Sequence, residues 1–267
     1  MRRALCVGID DYPLQDADLR GAVNDARGWA RVLVELAGFD EGEVTVLTDR
    51  KATRAAVLGG IERLVDGLGP GDVGVFTYAG HGTYVAGEEG GDEVYDEAIC
   101  PWDTRDEVIL DDELRVLLDT VPTGATVAVV LDSCYSGTAT RDLPGGEEPG
   151  TRRPRTLPPA RIGRPEIDVL RARKRPSPRT ERSMTEILLT GCRDDEESAD
   201  DLIDGVWGGA MSTFALRQIR AARGRISWQR LHARVRADLA LAGYSQVPQL
   251  EGRARLKRRR AFTPVPS

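Results

Sequence analysis

Two stretches decide the fold: Val73-Gly-Val-Phe-Thr-Tyr-Ala-Gly-His81-Gly82 and Thr126-Val-Ala-Val-Val-Leu-Asp132-Ser-Cys134-Tyr-Ser-Gly137. Each opens as a nearly continuous apolar run of strand length and closes in a short polar segment with glycine. A run that is apolar on both faces belongs in the middle of a parallel sheet covered by helices on each side. Strands are expected at 73–78 and 126–131, and the same signal recurs at 4–9, 44–47 and 186–191. Residues 247–250 would add an edge strand, because Pro248 withholds a ladder donor. Helical patterns alternate with these runs at 22–36, from a cap at Thr53 to about 68, from Asp111 onward, at 210–222 and at 228–242. Asp111 and Ser227 are expected to cap the free amides of a first turn, and Gly243 to close the last helix. The expected class is α/β, with a mostly parallel central sheet of about six strands and helices on both faces.

The chain of 267 residues suits one such domain, spanning 1–267. Its formal net charge of -6 gives it no general attraction for nucleic acid, and none is expected as a partner. Four cysteines, Cys6, Cys100, Cys134 and Cys192, lie far apart, so reduced thiols are expected rather than a disulfide framework or a zinc site. The apolar run near the amino end stops at Asp10 and Asp11, too early for a leader peptide. No run approaches membrane-spanning length, and the expected location is the cytoplasm. Between 141 and 185 the composition changes, with 8 of the 15 prolines and 12 Arg or Lys against 6 Asp or Glu. So polar a stretch buries too little surface to offset its ordering entropy, and residues 143–185 are expected to form a mobile insertion loop. The basic run 253–260 is expected to be a solvated terminus.

The chemistry sits where the two central strands end. His81 and Cys134 each follow a buried parallel strand at its carboxyl end, where open α/β sheets place their sites. A free thiol is mostly protonated at neutral pH, whereas the thiolate is the attacking species. An imidazole beside it takes the proton and later gives it to a leaving amine. Either residue alone reads more readily as structural; both together, at successive strand ends, point to nucleophilic catalysis. His232 lies in a helical pattern beside arginines and reads as an ordinary boundary residue.

The run Tyr78-Ala-Gly-His81-Gly82, together with Asp132-Ser-Cys134-Tyr-Ser-Gly137, resembles the metacaspases and prokaryotic caspase homologues of peptidase family C14. Similar to that family as well are Leu19-Arg-Gly-Ala-Val-Asn-Asp25, with Ala22 where a cysteine is usual, and Asp96-Glu-Ala-Ile-Cys100-Pro, Asp111-Asp-Glu-Leu114, Gly191-Cys192-Arg-Asp and Gln246-Val-Pro-Gln-Leu250. The separation of 53 residues between His81 and Cys134 is close to the roughly 50 of caspases. The resemblance implies a caspase-like three-layer sandwich and a cysteine endopeptidase working through a His81–Cys134 dyad. It implies that the amides of Gly82 and Cys134 hold the oxyanion. It also implies that Asp25 and Asp132 line the pocket for the residue before the scissile bond. Two carboxylates there favour Arg, then Lys, in a protein or peptide substrate, and refuse Asp. From the residues alone, Asp25 reads equally as a carboxylate stabilised by the start of a helix.

The chemistry requires no cofactor, but the resemblance implies calcium as an activator, held by Asp96, Asp111, Asp112 and Asp142. Hard carboxylate oxygens suit that ion. Asp142 stands one residue later, relative to the cysteine, than the family pattern places it, and the others also read as a helix cap and solvated charges. An arginine-preferring protease with an arginine-rich loop beside its nucleophile is expected to cut itself there, with Arg153, Arg155, Arg175 and Arg182 as candidates. The competing reading is a catalytically silent scaffold, or a binding module that uses the basic segment for an acidic partner. Nothing in the sequence fixes the oligomeric state.

Overall fold

A computed structural model describes residues 1–86, 95–135, 152–164, 181, 184–193 and 196–264. Its centre is a six-stranded sheet built from β1 (Arg2–Gly8), β2 (Val44–Thr48), β3 (Val73–Ala79), β7 (Thr126–Asp132), β9 (Glu186–Thr190) and β12 (Gln249–Glu251). In space the order is β12-β9-β7-β3-β1-β2, and every neighbouring pair is parallel except β12 with β9. The central pair β3 and β7 is buried at every residue.

Alternation along the strands divides the core in two. Leu5, Val7, Phe76, Tyr78, Val127 and Val129 pack on one face against Val57, Ile61 and Leu64 of α2 (Arg54–Val65) and Leu114 of α3 (Asp111–Leu118). Ala4, Cys6, Val75, Ala128, Val130 and Leu189 face the opposite layer. That layer is formed by α1 (Ala22–Ala37), α4 (Ala210–Ala221) and α5 (Trp228–Leu241), through Trp29, Leu33, Met211, Leu231 and Val235 among others. The result is a three-layer sandwich with helices on both faces.

Most expected elements fall within a few residues of their place. Thr53 caps α2 by accepting from the Ala56 amide, Ser227 caps α5 by accepting from Arg230, and Gly243 takes positive φ after α5. Asp111 is a correction: it is the first residue of α3 rather than its cap, and the Glu113 carboxylate turns back onto the Leu110 amide instead. Two small antiparallel sheets flank the main one. The first joins β4 (Gly82–Ala86), β5 (Tyr95–Ile99) and β6 (Ile109–Leu110). The second joins β8 (Arg153–Pro154), β10 (Ala199–Ile203) and β11 (Val206–Gly209).

The expected mobile loop needs correction for residues 152–164. They form β8 and a 3-10 turn at Pro159–Ile162, with Arg155, Leu157 and Ile162 buried. The tail also differs from a solvated terminus. The short helix α6 (Ala254–Lys257) buries Leu256, and beyond it Ala261 and Phe262 enter the core, Phe262 edge-on to Trp228. Apolar side chains spaced among the arginines anchor that segment.

Candidate active site

Register brings the two reactive residues together. Ala79 of β3 lies opposite Asp132 of β7, and His81 and Cys134 each stand two residues further on. His81 is buried, its ring packed against Tyr12 at a centroid distance of 4.9 Å. Its Nε2 lies 2.7 Å from the Ala17 carbonyl. A carbonyl only accepts, so Nε2 carries the proton and Nδ1 holds the lone pair. That Nδ1 is buried and has no hydrogen-bond partner among the described residues. Burial pushes the imidazole down to about 4; the Ala17 bond opposes this and Arg155 adds to it.

The Cys134 sulfur faces the Ser198 backbone, accepting from its amide and lying 3.6 Å from its carbonyl oxygen. Thiol and imidazole are thus not hydrogen-bonded to each other in this state. The Cys192 thiol, pushed up by a hydrogen bond with Cys134 and then by burial, is its sulfur neighbour.

One residue fills the site. The Arg155 carbonyl oxygen accepts from the Gly82 amide at 3.0 Å and from the Cys134 amide at 3.0 Å. The Arg155 amide donates to the Ser198 carbonyl at 3.0 Å, and β8 extends this as an antiparallel pairing with β10. A side chain at Gly82 would close this approach, since its Cβ would fall 2.2 Å from the Cys134 carbonyl oxygen. On the far side, the Leu157 amide donates to the Gly82 carbonyl at 2.9 Å, and Thr83 Oγ1 donates to the Leu157 carbonyl at 2.7 Å. The backbone of 153–157 is therefore clamped on both sides of the Arg155–Thr156 peptide bond.

The guanidinium, fully buried, enters an acidic pocket. Its Nη2 donates to Asp25 Oδ2 at 2.6 Å and to Asp200 Oδ1 at 2.9 Å, while Nη1 lies 3.4 Å from Asp132 Oδ2. The carboxylates are themselves positioned. Asp132 accepts from Ser198 Oγ and the Ser212 amide, Asp25 from the Gly209 amide, and Asp200 from the Arg20 amide. Gln246 completes the frame, donating to the Gly191 carbonyl and to Ser198 Oγ. Although burial works against it, the three carboxylates hold the Arg155 guanidinium well above its ordinary range. Burial pushes Asp25 up to about 8, with Asp132 adding to the rise and Arg155 opposing it.

Comparison with known proteins identifies the family. The metacaspase, peptidase C14 domain model matches residues 2–144. Metacaspase-1 of Pyricularia oryzae is 31% identical over 93% of this chain and 71% of its own length. The chain belongs to the metacaspase peptidase C14 family. That family is one of cysteine-type peptidases, hydrolases of the peptide bond. Metacaspase-4 of Arabidopsis thaliana is 41% identical over 51% of this chain, and the match spans 34% of its own length. For Metacaspase-1 of Cryptococcus neoformans the identity is 36%, over 54% of this chain and 33% of that protein. The chain thus matches about a third of the length of these two relatives. Among solved structures, protein GSU0716 from Geobacter sulfurreducens superposes with a TM-score of 0.74 at 26% identity, covering 99% of both chains. Caspase-1 from Spodoptera frugiperda, at 12% identity and a TM-score of 0.56 over 94% of this chain and 86% of its own, shares the fold.

Within this metacaspase Asp25 and Asp132 both face the Arg155 guanidinium, and Asp25 also stands in the first turn of α1, where a second carboxylate caps the free amides. Asp10 accepts from the Ala22 and Val23 amides at the start of α1. Asp200 was missed, although a local signal pointed to it. Asp204-Gly205, both with positive φ, turns β10 into β11, and Asp-Gly between extended segments is a strong hairpin signature. His232 takes the ordinary role expected of it, its Nε2 against the Pro248 carbonyl.

Of the residues expected to hold calcium, three are described. Among the described residues no three His, Cys, Asp or Glu side chains are grouped to hold a metal. Asp96 lies on β5, the Asp111 carboxylate accepts from the Asp112 amide, and Asp112 pairs with Arg115 on the same helix. Asp142 lies outside the described residues. Of the cleavage candidates, Arg175 and Arg182 lie outside the described residues, and Arg153 donates to the Asp18 carbonyl rather than entering the pocket. Among the described residues no helix is long and apolar enough to cross a membrane.

Proposed function

We propose that this metacaspase is an endopeptidase that cleaves after arginine, and that its own Arg155–Thr156 bond is its first substrate. One observation carries the reading: the Arg155 carbonyl sits between the Gly82 and Cys134 amides while its guanidinium occupies the acidic pocket. In the proposed reaction the Cys134 thiol turns from Ser198 toward the Arg155 carbonyl carbon and gives its proton to His81 Nδ1. The carbonyl oxygen becomes an oxyanion between the two amides, a pair of donors whose individual loss typically raises a barrier by about 3–4 kcal/mol. His81 passes the proton to the Thr156 nitrogen, the C–N bond breaks, and a thioester links Arg155 to Cys134. Water, activated by the same imidazole, releases Arg155 as a carboxylate and restores the thiol.

Lysine is expected to serve less well than arginine. A single ammonium lacks the planar fork that meets Asp25, Asp132 and Asp200 at once. Aspartate would add a fourth carboxyl to the pocket and is expected to be refused.

Intact mass and amino-terminal sequencing of purified wild type and Cys134→Ala test the reading. A new terminus at Thr156, appearing only in the wild type and at a rate independent of protein concentration, is the expected result. Equal nicking in both proteins would leave the silent-scaffold reading in its place, and a cut confined to the wild type but lying elsewhere would overturn the Arg155–Thr156 bond as the first substrate while keeping the peptidase.

A further inference from the structure

The chain docked in the site makes a second cationic contact that the acidic pocket does not explain. Arg152 is the fourth residue on the amino side of the proposed scissile bond. Its guanidinium carbon lies 4.0 Å from the centre of the Tyr244 ring, and its Nε donates to Asp201 Oδ2 at 3.2 Å. Tyr244 donates its hydroxyl to the same Asp201 oxygen at 2.7 Å, so the carboxylate is fixed from behind. The ring is held in turn by an edge contact with Phe214, at 6.1 Å between centroids. A cation stacked on an aromatic face and paired at its edge is a built arrangement for a guanidinium.

The geometry of β10 accounts for both cation sites. Successive residues of a strand point to opposite faces. Asp200 and Asp201 therefore diverge, the first into the pocket of Arg155 and the second toward Arg152. The peptide that pairs with this edge meets one carboxylate on each side of the ladder. Arg153, by contrast, meets a single backbone carbonyl, that of Asp18, which any donor can satisfy.

We infer that Tyr244 and Asp201 form a subsite for a second basic side chain, so that the preferred substrates carry arginine at the first and fourth positions before the cut. This rests on the proposed endopeptidase reading and narrows its substrate class from single arginines to the pattern Arg-x-x-Arg. The half-exposed site, with Arg152 at 46% and Asp201 at 18% side-chain exposure, makes the fourth position a preference and leaves the first as the requirement.

The test uses the full-length, self-processed enzyme and two fluorogenic peptides, Arg-Arg-Pro-Arg and Ala-Arg-Pro-Arg. Wild type is expected to favour the first by roughly tenfold in kcat/KM, mainly through KM, the scale of one partly exposed cation–aromatic contact. In Tyr244→Ala and Asp201→Asn the ratio is expected to fall toward one; Tyr244→Phe, which keeps the ring, retains part of it and serves if Tyr244→Ala does not fold. Equal cleavage of both peptides by wild type would overturn the subsite while leaving cleavage after arginine intact. A preference that survives both Asp201→Asn and loss of the ring would place the selection elsewhere. Failure of wild type to cut either peptide would remove the endopeptidase reading and the subsite with it.

Discussion

Three carboxylates around one guanidinium make the pocket more demanding than the two aspartates legible in the sequence. Asp200 supplies its own contact at 2.9 Å, and a charge-assisted hydrogen bond of this kind contributes about 1.5–3 kcal/mol. Asp200→Asn is therefore expected to lower kcat/KM for arginine peptides by roughly ten- to a hundredfold, with most of the change in KM. Steady-state kinetics on the processed enzyme checks this. His81 gives a separate, pH-resolved signature. Its folded value of about 4 lies below the ordinary 6.5, so the fold holds the neutral ring and resists protonation. The associated stability is complete above about 6.5 and is lost as pH falls from there toward 4, up to about 3 kcal/mol in all. Urea unfolding at pH 7 and pH 4.5 isolates it, because Cys134→Ala should lose stability relative to Cys134→Ala combined with His81→Gln. A constant difference would show that the imidazole is not buried as described.

The elements divide by how local their causes are. The central strands were legible because β3 and β7 are covered on both faces, which leaves an unbroken apolar run in the sequence. Caps at Thr53 and Ser227 were legible because donor and acceptor are three residues apart. The start of α1 at Ala22 was legible too, but not the carboxylate that accepts from its first amides, since Asp10 arrives from twelve residues earlier through a loop. The segment around Arg155 was misjudged for a related reason. Composition predicts that it cannot build a core of its own, which does not prevent it from borrowing one. Leu157 and Ile162 join the core on the α2 side of the sheet, Leu157 bonded to Gly82 and Thr83 of β4, while Arg155 finds its partners on α1, β7 and β10. Leu157 is 3% exposed, and Leu157→Ala in the Cys134→Ala chain is expected to loosen this segment more than the sheet. Hydrogen exchange should rise across 152–164 with little change at β3 and β7, while the same substitution in active protein should slow self-cleavage. Uniform loss of protection would mean that the segment is integral to global folding.

At the scale of the molecule, the proposed cut falls in the connection between β7 and β9, two strands that are hydrogen-bonded neighbours. Everything from β9 onward, including α4 and α5 of one helical layer, lies beyond it. Cutting would leave pieces of 155 and 112 residues sharing one sheet and one core. The processed protein is expected to elute as a single particle in native size-exclusion chromatography and to resolve into two bands only in denaturant. Spontaneous separation in native buffer would contradict the sheet order.

The neighbouring placement of β7 and β9 has a thermodynamic sequel. While the backbone is continuous, these strands find one another as parts of a single polymer, and dilution is irrelevant to their reunion. Once it is severed, reassembly after denaturation becomes an encounter between two molecules, and its midpoint acquires a dependence on concentration. Cleavage would exchange a reversible fold for one that, at low abundance, is difficult to recover after a single unfolding event.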